Sequence, residues 1–333
     1  MTSQQKEKTL TVGQRVSVAM CTCDGARFLP EQLQSIASQT ILPNELVVCD
    51  DVSTDNSVAI IEDFSRQAPF EVKLFRNGAR LGPAKNFGKA LRLCESEIIF
   101  LSDQDDIWKS TKVESLVGPL HRDPQAVYAF SNAEMINELG DPLGQTFWDE
   151  VGLSRSVNRF SGLGQLRLLL RENLIAGASM AFRASFREIV LPIPSGWMHD
   201  HWIVLLGSTW SHGIPVPERL FKYRRHTSQV NGLRKKSLGH VVRESISTGQ
   251  DAYFKKIEQF REIQMRLDLA RVSAQCPQDR LELLKQKEAH LLKRATLRSA
   301  SGISRAIGVL AEASTGRYQL FSDSWLSIVR DLT

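Results

Sequence analysis

The sequence predicts an α/β fold with a mainly parallel sheet flanked by helices and a helical C-terminal extension. Short apolar runs recur through the first 130 residues, and a stretch of helical length separates each from the next. Because neighbouring parallel strands are joined by a crossover that is usually a helix, this alternation indicates βαβ units. The change in charge after residue 233 is a further observation, and it marks the start of the extension.

Four apolar runs predict the strands of the first half. They are rich in β-branched or aromatic residues, and they cover residues 16–21 (VSVAMC), 46–50 (LVVCD), 72–75 (VKLF) and 98–102 (IIFLS). Helices are predicted between them, over residues 30–39, 57–67 and 83–94. The first and third of these begin with proline, which suits the first helical position, and the second follows polar residues that cap helices.

Length and composition exclude several protein classes. The chain has 333 residues, of which 42% are hydrophobic and 24% charged, as in ordinary globular proteins. No apolar run is long enough to span a membrane, and the polar N-terminus lacks a signal-peptide pattern. The five cysteines have no CxxC spacing. They favour reduced thiols and a cytoplasmic location over a disulfide framework or a zinc knuckle.

The excess positive charge is confined to the last hundred residues. Residues 1–233 carry 24 basic and 26 acidic side chains, a balance of −2, whereas residues 234–333 carry 18 and 11, a balance of +7. Apolar stripes at residues 281–295 and 303–310 predict helices in this basic segment. The charge favours an anionic partner such as a membrane surface. The alternatives are a solvated helical surface, packing on the rest of the chain, and a dimer contact.

Acidic clusters follow three of the predicted strands, at residues 22–25 (TCDG), 50–53 (DDVS) and 103–106 (DQDD). Ligands of such sheets bind beyond the carboxyl ends of the strands. Three clusters at one edge therefore predict a site for a cation, or for a sugar and a base, and oxygen-rich sites suit Mg²⁺ or Mn²⁺. Neither GxGxxG after the first strand nor GxxxxGK[ST] is present, which argues against dehydrogenases and P-loop enzymes.

The middle region contributes three further motifs. Residues 175–182 (IAGASMAF) predict a buried strand, residues 199–202 (HDHW) open a helical run, and residues 223–226 (YRRH) are strand-like. Together with TCDG, DDVSTDNS, LGPAKN and SDQDDIW, in this order, they resemble family 2 glycosyltransferases with a GT-A fold. More narrowly, they resemble the bacterial rhamnosyltransferase-like subgroup.

The resemblance covers roughly residues 14–233 and implies a domain organisation. Residues 14–130 are expected to form the nucleotide-sugar-binding half of a catalytic domain and residues 131–233 the acceptor-binding half. Residues 234–333 are expected to form a basic helical C-terminal region. The DDVS segment departs from the family where Val52 replaces the usual glycine. Because valine rarely adopts a positive φ, that turn is expected to differ locally.

The resemblance also implies a function. The expected enzyme is an inverting, metal-dependent hexosyltransferase that moves a sugar, with rhamnose as one option, from a dTDP- or UDP-sugar to an acceptor hydroxyl. The implied pathway is synthesis of a bacterial surface polysaccharide: O-antigen, capsule or exopolysaccharide. The implied partners are the nucleotide-diphosphate sugar, a saccharide or lipid-linked saccharide, Mg²⁺ or Mn²⁺, and the inner face of the cell membrane. No nucleic-acid partner is expected.

Two alternatives stay open at this point. One is a sugar-nucleotide nucleotidyltransferase, although residues 20–26 (MCTCDGA) lack the Gly-rich basic segment of those enzymes. The other is a non-catalytic binding module that the basic tail recruits to anionic lipid.

Residue roles follow from the matching motifs. Asp200, at the start of a helix, is the implied general base. Whether Arg224 or Arg225 faces the diphosphate is left open. Binding of the donor is assigned to Thr22, Asp24, Asp51, Lys85, Asp103 and Arg224. Binding of the metal is assigned to Asp105 and His226, and binding of the acceptor to Trp197, His199 and Trp202.

Overall fold

The computed structural model describes residues 15–227, 250–322 and 325–332, so the predicted boundaries at residues 14 and 233 lie outside the described residues. The described chain forms two compact units. The first contains residues 15–157, 175–207 and 212–227, and the second contains residues 158–174, 208–211, 250–322 and 325–332. The functional division at residue 233 stays a prediction.

The described strands form one mixed sheet in the first unit. Their bounds are β1 (Val16–Thr22), β2 (Glu45–Asp50), β3 (Glu71–Arg76), β4 (Ile98–Ser102), β5 (Ile107–Trp108), β6 (Ala126–Ile136), β7 (Pro142–Thr146), β8 (Met180–Arg183) and β9 (His212–Arg224). The order across the sheet is β3-β2-β1-β4-β8-β6-β9-β5, with β7 paired to β6. The strands β3, β2, β1 and β4 are parallel, whereas β8 is antiparallel to both β4 and β6.

The described α-helices alternate with the strands of the first half and dominate the C-terminal part. Their bounds are α1 (Leu29–Ala37), α2 (Ser57–Ser65), α3 (Pro83–Leu93), α4 (Lys112–Arg122), α5 (Phe147–Glu150), α6 (Gly162–Leu169), α7 (Arg187–Val190), α8 (His199–Trp210), α9 (Gln250–Leu269), α10 (Gln278–Ser299), α11 (Gly302–Ser314), α12 (Arg317–Phe321) and α13 (Trp325–Leu332).

The apolar runs of the sequence form the centre of the sheet. Nearly every residue of β1, β2 and β4 is buried, because parallel strands with helices on both faces have no solvent-facing side. The edge strand β3 is half-exposed and carries charged side chains, which discourage pairing with other chains. The predicted bounds of these four strands agree with the structure to within one residue at each end.

The predicted strand over residues 175–182 begins later in the structure. Gly177–Ser179 forms a 3-10 turn, and β8 starts only at Met180. Ser179 closes this turn, since its backbone N–H and its Oγ donate to the carbonyl of Ala176 at 3.0 and 2.6 Å. A Cβ on Gly177 would lie 2.6 Å from Nε2 of His199, so only glycine permits this close approach of the turn to α8.

The second unit is helical and contains two apolar clusters. Tyr253 and Ile257 of α9 pack on Leu291 and Ala295 of α10, which belong to the apolar stripe predicted from the sequence. A second cluster contains Leu297, Val309 and Tyr318. None of the helices in the described ranges is long and apolar enough to cross a membrane.

A buried ionic network connects the helices of this unit. Asp331 of α13 accepts hydrogen bonds from Nε and Nη2 of Arg294 at 2.6 and 3.0 Å and from Oη of Tyr318 at 2.7 Å. Glu312 of α11 lies 2.6 Å from Nδ1 of His290. Some of the charge in the basic segment therefore acts inside the fold, where the loss of one partner leaves the other charge uncompensated.

Candidate functional site

The three predicted polar clusters lie at one edge of the sheet. β1 pairs in parallel with both β2 and β4, so their carboxyl ends are neighbours. Oγ1 of Thr22 donates to Oδ2 of Asp50 at 3.0 Å, and the backbone N–H of Asp51 donates to the carbonyl of Thr22 at 2.8 Å. Residues 103–106, here called the acidic loop, directly follow β4. The sheet topology therefore brings the clusters together.

Asp51 is held by the loop that precedes α3. Its Oδ1 accepts from the backbone N–H of Leu81 and from Nδ2 of Asn77 at 2.7 and 2.8 Å, and its Oδ2 accepts from the N–H of Gly82 at 2.8 Å. A carboxylate has about four acceptor positions, so these contacts fix the group and leave one position on Oδ2. Lys85 lies in the exposed first turn of α3.

Two non-glycine residues in the loops after β1 and β2 have left-handed backbone, with φ of 51° at Asp24 and 62° at Val52. Asp24 accepts from the N–H of Thr54 at 2.7 Å and from Nη2 of Arg80 at 2.7 Å. The Thr54 backbone bond is the main cause that lowers the pKa of Asp24, and Arg80 contributes. The turn at Val52 therefore adopts the conformation that suits glycine, although the residue is valine.

Val52→Gly is expected to raise the free energy of unfolding. A valine in the left-handed region destabilises the folded state by about 1–2 kcal/mol. Glycine removes this strain, but the greater entropy of the unfolded glycine chain offsets about 0.5–1 kcal/mol of the gain. Urea unfolding followed by circular dichroism measures the difference. Val52→Ala is the matched control, because alanine keeps the Cβ and most of the strain. A glycine variant that is less stable than the alanine variant would contradict the interpretation.

The acidic loop faces a histidine from the segment after β9. Oδ2 of Asp105 lies 2.7 Å from Nε2 of His226, whose ring packs 4.9 Å from that of Phe28. Burial, together with the charges of Asp105 and Asp200, raises the pKa of Asp103 to about 7. The structure thus brings the two predicted metal ligands into contact and crowds carboxylates from two motifs around them.

The side chains of the acidic loop and His226 supply only some of the ligands that a hard divalent cation needs. No group of three or more His, Cys, Asp or Glu side chains in the described residues is arranged to hold a metal. Asp105 and His226 supply one oxygen and one nitrogen on mostly buried side chains. Two protein ligands fit Mg²⁺ or Mn²⁺ when phosphate oxygens and waters complete the coordination.

A fully buried lysine, Lys112, lies beneath the acidic loop. It is 0% exposed, and its Nζ donates to the carbonyl of Ala178 at 2.5 Å and lies 3.9 Å from the centre of the Trp108 ring. Burial lowers the pKa of Lys112 to about 7, whereas the neighbouring carboxylates act in the opposite direction. Burial and nearby carboxylates raise the pKa of Asp106, whose Oδ2 has no hydrogen-bond partner among the described residues. Lys112 and Asp106 therefore lie close enough for the charge of each to act on the other.

Lys112→Met is expected to lower the free energy of unfolding by about 3 kcal/mol, because a buried carboxylate loses its compensating charge. The Ala178 carbonyl also loses its donor. Lys109→Met, an exposed neighbour, is the control and should change stability by less than about 0.5 kcal/mol. Urea unfolding compares the variants. Adding Asp106→Asn to Lys112→Met should recover part of the loss, and no recovery would exclude the charge as its cause.

Arg224 is the inward-facing arginine of the pair that the sequence leaves open. It is 2% exposed, and its Nε and Nη1 donate to the carbonyls of Asp105 and Glu138 at 2.9 and 3.1 Å, while Nη2 lies 2.6 Å from Oε2 of Glu31. The side chain of Arg225 is 29% exposed. Through these contacts Arg224 holds the acidic loop in place. Direct contact of Arg224 with a donor stays a prediction.

Asp200 lies in the first turn of α8, as the HDHW motif predicts. Its Oδ2 accepts from the backbone N–H of Gly177 at 3.3 Å, and its Oδ1 accepts from the N–H of His201 at 2.6 Å. Its charge contributes to the raised pKa of Asp103. Asp200 is therefore close enough to the acidic loop for its charge to act there.

The three predicted acceptor residues are buried. Trp202 is 0% exposed and its Nε1 donates to the carbonyl of Val190 at 2.8 Å. The ring of His199 stacks on Phe87 with 3.9 Å between centroids. Trp197 packs against Trp202. These contacts favour a packing role around α8, because a buried indole presents no face on which a sugar stacks.

Two site residues escaped the sequence-based prediction. Gln104, inside the acidic loop, accepts from the N–H of Cys23 at 2.8 Å and donates to the carbonyl of Cys23 at 3.0 Å, so it joins two of the clusters. Lys112 begins α4. The available signal for Lys112 was its position four residues after the aromatic Trp108. For Gln104 the sequence offered no signal beyond its place between two aspartates.

Comparisons with known proteins concern the sequence and the fold of the chain. A family model described as Glycosyl transferase family 2 matches residues 17–190, just over half of the chain. The dTDP-rhamnosyl transferase RfbG of Shigella flexneri is 33% identical over 102 residues, which are 29% of this chain and 35% of RfbG. The Escherichia coli UDP-Glc:alpha-D-GlcNAc-diphosphoundecaprenol beta-1,3-glucosyltransferase WfgD is 26% identical over 167 residues, 50% of this chain and 64% of WfgD. The chain thus spans less than two thirds of each of these relatives.

A solved structure shares the fold. The crystal structure of S. aureus TarS 1-349 in complex with UDP-GlcNAc matches with a TM-score of 0.54 at 17% identity, over 84% of this chain and 72% of that chain. At this level of identity the likeness concerns the arrangement of strands and helices.

Proposed function

Because this chain belongs to glycosyl transferase family 2, we propose that it transfers a sugar from a nucleotide-diphosphate donor to an acceptor hydroxyl. Its GT-A-type α/β fold, predicted from the sequence, is confirmed by the likeness to TarS. The observation that carries the proposal is the acidic loop at the end of β4, where Asp105 lies 2.7 Å from His226. The charge of Asp200 acts on the same loop.

The proposed donor is a UDP- or dTDP-sugar, with rhamnose as one candidate for the sugar. The names of RfbG and WfgD specify dTDP and UDP, and both nucleotides carry a pyrimidine base. A pyrimidine imide N–H needs a fixed acceptor, and the remaining acceptor position of Asp51 suits it. We assign Thr22, at the end of β1, and Asp24, in the loop that follows it, to the same nucleotide pocket. The backbone bonds to Asp51 reduce the cost of ordering it when the nucleotide binds.

Departure of the nucleoside diphosphate concentrates negative charge near the acidic loop. Asp105 and His226 would hold Mg²⁺ or Mn²⁺, which supplies charge neutralisation for the leaving diphosphate when bound. Gln104 and Arg224 hold the loop by contacts to its neighbours and its backbone. These contacts hold the loop in place before the donor arrives, and we assign Asp103 to the donor ribose.

Inversion at the anomeric carbon requires a base on the face opposite the leaving group, and we assign this role to Asp200. The N–H of Gly177 orients its carboxylate, and the start of α8 favours the charged form. Asp200 would accept the proton of the acceptor hydroxyl as the bond to the sugar forms.

The proposed acceptor is a saccharide, free or lipid-linked, in the synthesis of a bacterial surface polysaccharide. The name of WfgD specifies a diphosphoundecaprenol-linked GlcNAc as acceptor, and RfbG is named as a rhamnosyl transferase. These two names support the class of acceptor and donor sugar.

The test is nucleotide release by the purified chain. We expect UDP or dTDP to be released from a nucleotide-sugar in the presence of Mn²⁺, and release to stop with EDTA. Release of pyrophosphate from a nucleoside triphosphate and a sugar phosphate would instead identify a nucleotidyltransferase. Binding of nucleotide-sugar with no release, across UDP, dTDP and GDP donors and added saccharide acceptors, would indicate a binding module and overturn the proposal.

A further inference from the structure

A chain of side-chain hydrogen bonds leads from helix α3 to Asp51. Nζ of Lys89 donates to Oδ1 of Asn77 at 2.8 Å, and Nδ2 of Asn77 donates to Oδ1 of Asp51, also at 2.8 Å. Asn77 directly follows β3, and its backbone N–H donates to the carbonyl of Asp50 at 2.9 Å. The amide of Asn77 therefore lies between the helix and the carboxylate and binds both.

A second residue of α3 binds the same amide. Nδ2 of Asn77 also donates to Oδ1 of Asn86 at 2.8 Å, and Nδ2 of Asn86 donates to the carbonyl of Cys49 at 2.8 Å. Asn86 is buried and lies three residues before Lys89, so both side chains are on one side of the helix. Two neighbouring positions of α3 thus hold Asn77.

The two ends of this chain determine the orientation of the Asn77 amide. The ammonium group of a lysine can only donate a hydrogen bond, and a carboxylate can only accept one. Asn77 must therefore turn its oxygen toward Lys89 and its nitrogen toward Asp51. A flipped amide would oppose two donors at one end and two acceptors at the other. Because every contact is matched, the bonds reinforce one another.

These contacts also determine what Asp51 can bind. Nδ2 of Asn77 and the backbone N–H groups of Leu81 and Gly82 all donate to its carboxylate, which keeps one acceptor position on Oδ2. That position suits the imide N–H of uracil or thymine. The corresponding ring nitrogen of cytosine carries no hydrogen and is itself an acceptor, so it would be repelled there.

We propose that Asn77 and Lys89 are positioning residues for recognition of the donor base. They hold Asp51 in one orientation, as a fixed acceptor for a uracil or thymine N–H. Neither residue needs to touch the nucleotide, because Asn77 acts through Asp51 and Lys89 acts through Asn77. This inference rests on the proposed function, since it takes a UDP- or dTDP-sugar as the donor.

The first test is calorimetric titration of the full chain with UDP, between about pH 5 and about pH 8. Asn77→Asp keeps the size of the side chain but brings two carboxylates into contact, and these repel unless they share a proton. As the pH rises and this proton is lost, the affinity of Asn77→Asp for UDP, relative to the unaltered chain, should fall about tenfold.

The comparison with the unaltered chain at each pH removes the titration of the neighbouring groups, because both proteins share them. These groups are Lys89, Arg80, Asp24, Asp50 and the thiol of Cys23. Asn56→Asp is the matched control. It adds the same charge at the exposed N-cap of α2, and its affinity relative to the unaltered chain should not change with pH.

The second test is Lys89→Met, which removes the donor that holds the oxygen of Asn77. We expect UDP to bind about threefold to tenfold more weakly, and the preference for UDP over CDP to decrease. A purely structural role would weaken both nucleotides equally. Arg92→Met is the matched control, because it removes the same charge at an exposed position one turn further along α3. Both of its affinities should be unchanged.

The inference is overturned if the affinity of Asn77→Asp follows the same pH course as that of the unaltered chain. It is also overturned if Lys89→Met keeps the full preference for UDP over CDP, and this variant decides alone if Asn77→Asp does not fold. Both outcomes leave the proposed function standing, since the unaltered chain still binds UDP. If the unaltered chain binds neither UDP nor dTDP, the proposed pyrimidine donor fails, and the inference fails with it.

Discussion

Asp105→Asn is expected to lower the rate of sugar transfer on the order of a thousandfold, because the diphosphate leaves without a correctly held cation. Asparagine has nearly the same size, and the backbone carbonyl that accepts from Arg224 is unchanged. The fold should therefore persist. Turnover is measured as nucleotide released with a saccharide acceptor, at saturating Mn²⁺.

Asp105→Asn should also lose the Mn²⁺ dependence of nucleotide affinity, which calorimetry measures with and without the ion. Asp63→Asn is the matched control, because Asp63 is an exposed carboxylate on α2 that contacts Arg66 away from the site. Full turnover of the unaltered chain in EDTA would exclude the metal role. If Asp105→Asn has normal turnover, another residue of the acidic loop must hold the metal.

Asp200→Asn is expected to lower transfer about a hundred- to ten-thousandfold while the donor binds almost normally. The amide cannot accept the acceptor proton. Its single oxygen can still take the N–H of Gly177, although the N–H of His201 then loses its side-chain acceptor. Because the size of the side chain is unchanged, we expect the fold to persist. The measurement pairs calorimetric titration of nucleotide-sugar with turnover in the presence of acceptor. A base acts on the acceptor only, so the two readouts should separate.

Glu188→Gln is the control for this substitution. Glu188 is an exposed carboxylate in the first turn of α7, so the same change of group occurs at another helix start. If Asp200→Asn loses nucleotide binding together with turnover, Asp200 belongs to the donor site. If its turnover is normal, the base lies elsewhere. Asp149 is then a poor substitute, since its carboxylate caps α5 through Thr146.

The first four strands were predictable because their physical cause is local. The runs that begin at Val16, Glu45 and Ile98 are buried on both sides of the sheet, so apolar composition alone identifies them. The start of β8 was not predictable, because Ser179 and Ala176 form a turn within a run that is otherwise apolar or small. Periodicity does not distinguish a buried turn from a buried strand.

The candidate site was predictable where chain topology decides it and not where side-chain direction decides it. Parallel pairing places Asp51 and the acidic loop at one edge, whatever the details of packing. The direction of Arg224, by contrast, depends on contacts with Glu31 and Glu138 that are distant in sequence. Lys112 was not among the predicted site residues, because its contact with the carbonyl of Ala178 joins positions 66 residues apart in the sequence.

The ionic network around Asp331 determines where the chain tolerates shortening. A chain cut before α13 would leave the guanidinium of Arg294 and the hydroxyl of Tyr318 in an apolar interior without the carboxylate that both now bind. Such a protein should be prone to proteolysis and precipitation, and a loss of activity would then report misfolding. Single substitutions on the outer surface leave the network intact. They are therefore safer than truncation for testing what this unit does, and fusion tags are better placed after Leu332 than in place of it.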